Sequence, residues 1–276
     1  MKKTYVICLT LLFYFCLSAP GLVSAGENES NGIFVPGQVQ DEASGPVMPD
    51  RKNAVKINLT SLLFSGISVQ FEWVITPRLS VSAGVNYRPE GQLPFAGFIK
   101  NTFIEEDELN ARRFLDETMF SYMTITPEIR FYPGSNGAPN GFYIAPYFRY
   151  GSWDMVSKIE FDRDDDPSVD LRLSGDLSYY GGGLMLGFQR ARNRMTVDWW
   201  LLGPFIGSVD GNFAARGSDD IALTEKEKRD IEQEINEIDT GIFDVSAKIG
   251  DDRVDVLIGG NILGIRAIGF TIGFRF

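Results

Sequence analysis

The sequence contains no histidine, and its two cysteines, Cys8 and Cys16, both lie near the N-terminus. Beyond Cys16 there is no thiol to form a disulfide or ligate a metal. Without imidazole there is no side chain whose unperturbed pKa sits close to working pH, so histidine-dependent acid–base catalysis is excluded. Basic residues are scarce, 26 against 37 acids for a net charge of −11. Such a chain is a poor partner for nucleic acid, where affinity comes from neutralising phosphates. Past residue 25 no apolar run approaches the ~20 residues of a membrane-spanning helix.

What is present begins with a processing signal. Lys2 and Lys3 precede an apolar stretch from Tyr5 to Leu17, followed by Val23-Ser24-Ala25. The stretch is too short for a membrane span, and small residues stand where a signal peptidase cuts. Residues 1–25 are therefore expected to be a cleaved signal peptide. Cys16 follows Phe13-Tyr14-Phe15 rather than small residues, which argues against lipidation. Removing Lys2 and Lys3 leaves 24 basic residues against 37 acids, a net charge of −13. Residues 26–53 are polar, rich in Gly and Pro and without periodicity, as a flexible periplasmic leader would be.

From residue 54 the pattern has period two. Ile67, Val69, Phe71, Trp73 and Ile75 alternate with small or polar residues, and Leu79, Val81, Ala83, Val85 and Tyr87 repeat the pattern. Alternation puts one set on each face of a sheet. Eight such segments are expected, at 54–63, 65–75, 79–88, 118–132, 142–160, 169–190, 194–208 and 261–276. The joins at 76–78, 133–141 and 191–193 are short, whereas those at 89–117, 161–168 and 209–260 are longer. Short turns at one rim and long loops at the other suit an eight-stranded antiparallel transmembrane β-barrel spanning 54–276. Its interior would be polar and its lipid face apolar. A soluble β-sandwich fits composition alone but not this alternation of joins.

In the last segment Ile268, Phe270, Ile272, Phe274 and Phe276 share one face. This resembles the C-terminal signature of Gram-negative outer-membrane barrels, with Phe270, Ile272, Phe274 and Phe276 in the place of the insertion signal. Pro127-Glu128-Ile129-Arg130-Phe131-Tyr132-Pro133 and Gly141-Phe142-Tyr143-Ile144-Ala145-Pro146-Tyr147 resemble segments of an uncharacterised outer-membrane barrel family. The architecture is similar to barrels of the OmpA/OmpX type. The resemblance implies an outer-membrane location and recognition by the barrel-insertion machinery, and it brings no known activity.

Candidate functional residues follow from the faces. Glu72, Arg88, Glu128, Arg130, Arg149, Asp198 and Arg275 fall on inward positions and are expected to form a lumen charge network. Eight strands leave a lumen that side chains fill, and buried charges must pair. Trp73, Phe131, Phe142, Phe188 and Phe276 are expected to ring the periplasmic rim, with Tyr87, Tyr150 and Tyr180 near the other. Ordinary core packing is the alternative. If the hairpin at 133–141 is regular, Pro127 faces Pro146 and the ladder weakens there, because proline has no N–H to donate.

The long join 209–260 carries a helix signal. Thr224-Glu225-Lys226-Glu227 is a capping box, and Ile231, Ile235 and Ile238 share one helix face. Asp162, Asp164 and Asp166 begin like a calcium loop, but Pro167 stands where that loop needs glycine. No metal and no cofactor is expected.

Known outer-membrane barrel enzymes use histidine, so the resemblance implies no enzyme here. The function expected is a non-enzymatic outer-membrane barrel with a structural or surface-interaction role. Its partners would be membrane lipid, lipopolysaccharide and a surface protein met through the outer loops. A narrow channel or small-solute transporter is the alternative, and a soluble lipocalin-like binding barrel the third.

Overall fold

The structure, a computed structural model, describes residues 45–104, 109–161, 169–217, 229, 243–249, 253–266 and 268–276. Among them are ten strands and three helices. They run β1 (Asn53–Asn58), α1 (Leu59–Leu63), β2 (Ile67–Thr76), β3 (Leu79–Gln92), α2 (Ala96–Phe103), α3 (Leu109–Glu117) and β4 (Met119–Phe131). Then follow β5 (Gly141–Phe161), β6 (Val169–Arg192), β7 (Met195–Gly217), β8 (Phe243–Ile249), β9 (Arg253–Arg266) and β10 (Gly269–Arg275).

Every strand pairing is antiparallel, and the sheet closes. The ring runs β1 to β7 in order, then β10, which pairs with both β7 and β1. Closure through β10 leaves neither β1 nor the inner part of β7 with a free edge. The eighth wall strand is made of β9, which ends at Arg266, and β10, which begins at Gly269. Strand β7 pairs with β10 through Met195–Trp200 and with β9 through Gly203–Arg216. Strand β8 pairs on the far side of β9.

The short joins meet at one end, called here the inner end. There Tyr132 N donates to the Arg78 carbonyl at 2.9 Å and Ala138 N to the Pro77 carbonyl at 2.7 Å. Gly137 is required in this interlock: its φ is +64°, and a Cβ would lie 2.4 Å from the Pro77 carbonyl oxygen. Residues 45–52 reach the same end, where Val74 N donates to the Lys52 carbonyl and Arg275 Nη2 to the Arg51 carbonyl, each at 2.7 Å. Residues 1–44, which include the expected signal peptide, lie outside the described residues.

Several expectations change. The first strand stops at Asn58, because the Asn58 side chain accepts from Thr60 N at 2.9 Å and from Ser61 N at 3.4 Å. That local cap starts α1 where alternation had continued to residue 63. Strand β7 continues to Gly217 rather than ending at 208, and β9 begins at Arg253 rather than 261. The join at 89–117 carries α2 and α3. The expected helix at 224–238 lies outside the described residues apart from Arg229, which is helical.

The prolines do not face each other. The register sets Pro127 opposite Phe148 and Pro146 opposite Ile129, two residues away from the expected pairing. The ladder is nevertheless broken there: between Ile125 and Phe131 only Glu128↔Tyr147 remains paired. A groove of about 570 Å³ opens over the gap, lined by Pro127, Ile129, Pro146 and Phe148.

Candidate functional site

The lumen of the barrel gathers the inward side chains of all eight wall strands in three layers. The innermost is charged. Lys56 on β1 lies 2.6 Å from Glu72 on β2 and 2.9 Å from Asp198 on β7. Arg130 on β4 reaches Asp198 at 2.6 Å and Glu128 at 2.8 Å, and Arg266 on β9 reaches Glu128 at 2.6 Å. Three cations and three carboxylates thus form one connected set drawn from five strands. Neutral groups fill the remaining valences. Gln189 donates to Glu72 at 2.8 Å, Tyr143 to Asp198 at 2.8 Å and Ser80 to Glu72 at 2.6 Å. Tyr132 donates to the Gln189 carbonyl oxygen at 2.7 Å.

None of these acids is open to solvent; Glu72, Glu128 and Asp198 are at most 2 % exposed. A buried ion pair of this kind is held by geometry, since desolvating both charges nearly cancels their attraction. Removing one member is another matter, because it strands its partner. The layer therefore acts as a rigid polar plug.

Two inward tyrosines lie where the neighbouring wall position is glycine, and Tyr143 thereby reaches Asp198. Tyr143 pairs with Gly187, where a Cβ would lie 2.3 Å from the ring, and Tyr179 pairs with Gly151, where it would lie 2.4 Å away. The rings lie flat over the bare backbone of the neighbouring strand.

Above the plug is a small polar chamber of about 20 Å³, lined by Asn58, Ser68, Gln70, Asn86, Thr124, Thr126, Arg149, Trp200 and Arg266. Above that the lumen becomes aromatic and aliphatic. Trp153 stacks on Tyr122 at 4.9 Å and on Phe120 at 5.8 Å. Leu173, Leu177, Val209, Ile258 and Ile262 are buried, as are Phe114 and Leu115 of α3. Helix α3 is pinned to β5 through Thr118, whose hydroxyl meets that of Ser157 at 2.8 Å.

Of the seven expected lumen charges, all are buried, but only Glu72, Glu128, Arg130 and Asp198 join the network. Arg88 is inward but lies at the outer end, donating to the carbonyls of Phe64 and Phe120 with its guanidinium 3.9 Å above the Phe120 ring. Arg275 sits at the inner end on the Arg51 carbonyl. Arg149 lines the polar chamber.

Sequence reasoning missed Lys56 and Arg266. Lys56 was legible, standing between Val55 and Ile57 in an alternating run. Arg266 was hidden by a change of parity between β9 and β10. Inward positions are 262, 264 and 266 on β9 but 269, 271, 273 and 275 on β10. One extra residue shifts the parity, as a bulge does. Strand β7 makes the matching shift at Leu201–Leu202, since Trp200 and Gly203 both face inward.

All eight expected girdle aromatics, Trp73, Tyr87, Phe131, Phe142, Tyr150, Tyr180, Phe188 and Phe276, point outward and are exposed. Several are cross-strand neighbours: Phe142 pairs with Phe188, Phe188 with Trp199, and Tyr150 with Tyr180. Trp199, which packs 5.8 Å from Phe270, was not anticipated. Phe274 and Phe276 of the C-terminal run are also exposed. Asp162, Asp164 and Asp166 lie outside the described residues.

A family model described as "Protein of unknown function (DUF3575)" matches residues 38–201. No curated protein matches the chain. Among solved structures the chain is similar to two crystal structures from Acinetobacter baumannii. CarO2 is 13 % identical with a TM-score of 0.37, the match covering 82 % of this chain and 98 % of that one. CarO is 11 % identical with a TM-score of 0.35, covering 86 % and 100 %.

Proposed function

The chain belongs to the DUF3575 family, and from that premise we propose that it is a closed outer-membrane barrel with a structural or surface-interaction role and no catalytic activity. The observation that carries the reading is an outward belt of constant height. On β2 it runs from Ile67 to Ile75, on β5 from Phe142 to Tyr150, on β6 from Phe188 to Tyr180, nine residues each time. A transmembrane strand needs about 9–11 residues. Beyond the belt β5 turns Ser152, Asp154 and Lys158 outward, as a strand emerging into water would.

The charged layer argues against solute passage. Glu128 and Asp198, the carboxylates best placed for hydrolysis, are each held by two cations, which leaves neither free to act as base. Lipid and lipopolysaccharide would meet the belt, and the insertion machinery the C-terminal face of Phe270, Ile272, Phe274 and Phe276. The outer part of β5–β9 with α2 and α3 would offer the surface for a protein partner. No cofactor is called for.

Two measurements test this together. Unboiled protein from the outer-membrane fraction is expected to migrate faster on SDS gels than boiled protein. In planar bilayers the purified barrel is expected to give no discrete conductance steps. Recovery in the soluble fraction without a mobility shift would remove the membrane reading. Stable conductance would replace the sealed plug with a narrow channel.

A further inference from the structure

We propose that the polar chamber above the charged layer is a binding site for one small monovalent anion of halide size, held by Arg149 and Trp200. The argument begins with charge. Six cations are buried inside the barrel: Lys56, Arg88, Arg130, Arg149, Arg266 and Arg275. The buried acids among the described residues number three, Glu72, Glu128 and Asp198, and these are taken by Lys56, Arg130 and Arg266. Arg88 and Arg275 rest on backbone carbonyls at the two ends. Arg149 is left. It is 6 % exposed, and among the described residues it makes no ion pair and its Nε has no hydrogen-bond partner.

A second donor shares the chamber in the same condition. Trp200 is 5 % exposed and its indole N–H is also unpaired. Arg266 lies flat on the Trp200 ring, its guanidinium 3.8 Å from the ring centroid, which adds positive potential to the same wall. The rest of the lining is neutral, with the hydroxyls of Ser68, Thr124 and Thr126 and the amides of Asn58, Gln70 and Asn86. Buried cations demand a counter-charge, and buried donors demand an acceptor. A single anion satisfies both requirements at once. A water satisfies the donors but leaves the charge unbalanced. The third unpaired lining atom, Asn86 Oδ1, is an acceptor and stands outside the donor pair.

Size selects the ligand. A chamber of about 20 Å³ has room for a species little larger than water and none for an organic solute or a sulfate with its hydration. Arg266 of the lining belongs to the plug, and on the other side Asn86 donates to the Tyr122 hydroxyl, whose ring stacks on Trp153. The site is thus a structural ion site within the wall, independent of the reading of the barrel as a membrane protein.

The test compares salts on the folded full chain. Its unfolding midpoint is measured in sodium chloride and in sodium gluconate at equal ionic strength, since gluconate is too large to enter. The wild type is expected to unfold at higher temperature in chloride. Arg149→Met is expected to show the same midpoint in both salts. Trp200→Phe keeps the ring under Arg266 but loses the donor, and it should raise the half-saturating chloride concentration about tenfold. Equal midpoints for the wild type, or a chloride increment that survives in Arg149→Met, would overturn the site. Should Arg149→Met fail to fold, wild-type crystals grown in sodium bromide decide the matter. An anomalous peak between Arg149 and Trp200 upholds the proposal, and its absence there refutes it.

Discussion

Strand β5 passes through two environments within a single run of 21 residues. In its inner part the outward side chains are Phe142, Ile144, Pro146, Phe148 and Tyr150, and the inward ones include Tyr143, Tyr147 and Arg149. In its outer part the outward side chains are mostly polar, Ser152, Asp154 and Lys158 beside Val156, and the inward ones are Trp153, Met155 and Ser157. Strand β7 makes the same exchange: Ile206 is its last large outward apolar residue before Ser208, Asp210 and Asn212, while Val209 faces in. Period and direction continue unbroken through the exchange on β5. What reverses is which face carries the apolar groups. The same tube is therefore an inside-out protein over nine residues and an ordinary one above them, with core and surface set by where water is.

The largest effect should come from the inner part. Asp198 touches Lys56 and Arg130, so Asp198→Ala leaves the three buried cations of the network only two carboxylates. We expect a loss of about 4–5 kcal/mol, the upper end for breaking a buried pair, read as a lower urea midpoint for the folded barrel in lipid vesicles. An effect below roughly 1 kcal/mol would mean that water reaches the network and that the inner lumen is not the dry layer described. Trp153→Ala should come next, at about 3 kcal/mol for an aromatic truncated in a packed core. Its signature differs. Limited proteolysis should cut the outer part while the unboiled band keeps its fast migration. Loss of the fast band would show that the two regions unfold as one unit, and the comparison would fail.

The boundary itself can be probed on one strand. Phe148→Arg and Asp154→Arg both place a guanidinium outward on β5, six residues apart. The first should cost roughly 2–3 kcal/mol in lipid if it lies near the bilayer midplane, the second less than about 0.5 kcal/mol as a surface change. Equal costs in lipid vesicles would mean that no apolar medium surrounds the belt.

The same reversal explains what the sequence made legible. Within the belt, outward Phe, Ile, Val and Tyr alternate with polar residues, and the number of wall strands, the short turns and most inward charges follow from that. The expected end of β7 at 208 fell where outward apolar residues stop, although the strand continues to Gly217 with its apolar face turned inward. Strand β9 was cut short at its outer end for the same reason. Arg266 and the chamber depend on a parity shift between two chain segments far apart in sequence, and alternation read along one segment contains no trace of it. Asn58 capping α1 was a local signal that a strand expected over 54–63 overrode.

The smallest effect concerns a weak seam of the belt, between β4 and β5. Between Ile125 and Phe131 the β4–β5 ladder keeps a single pair, and the two prolines there supply no N–H. The β3–β4 ladder on the other side pairs Ala83 with Pro127 in unbroken sequence, so the defect belongs to one seam and not to β4 as a whole. Pro127→Val and Pro146→Val together restore two N–H groups in a setting where water cannot substitute for the missing partner. If the seam is open because the donors are absent, the double variant should gain about 0.5–1.5 kcal/mol, the net worth of one or two hydrogen bonds. Amide exchange at Thr126, Phe148 and Arg149 should slow with it. If exchange stays fast and stability is unchanged, the seam is held open by the side chains that line its groove. Pro127 and Pro146 would then be tolerated by the gap rather than its cause.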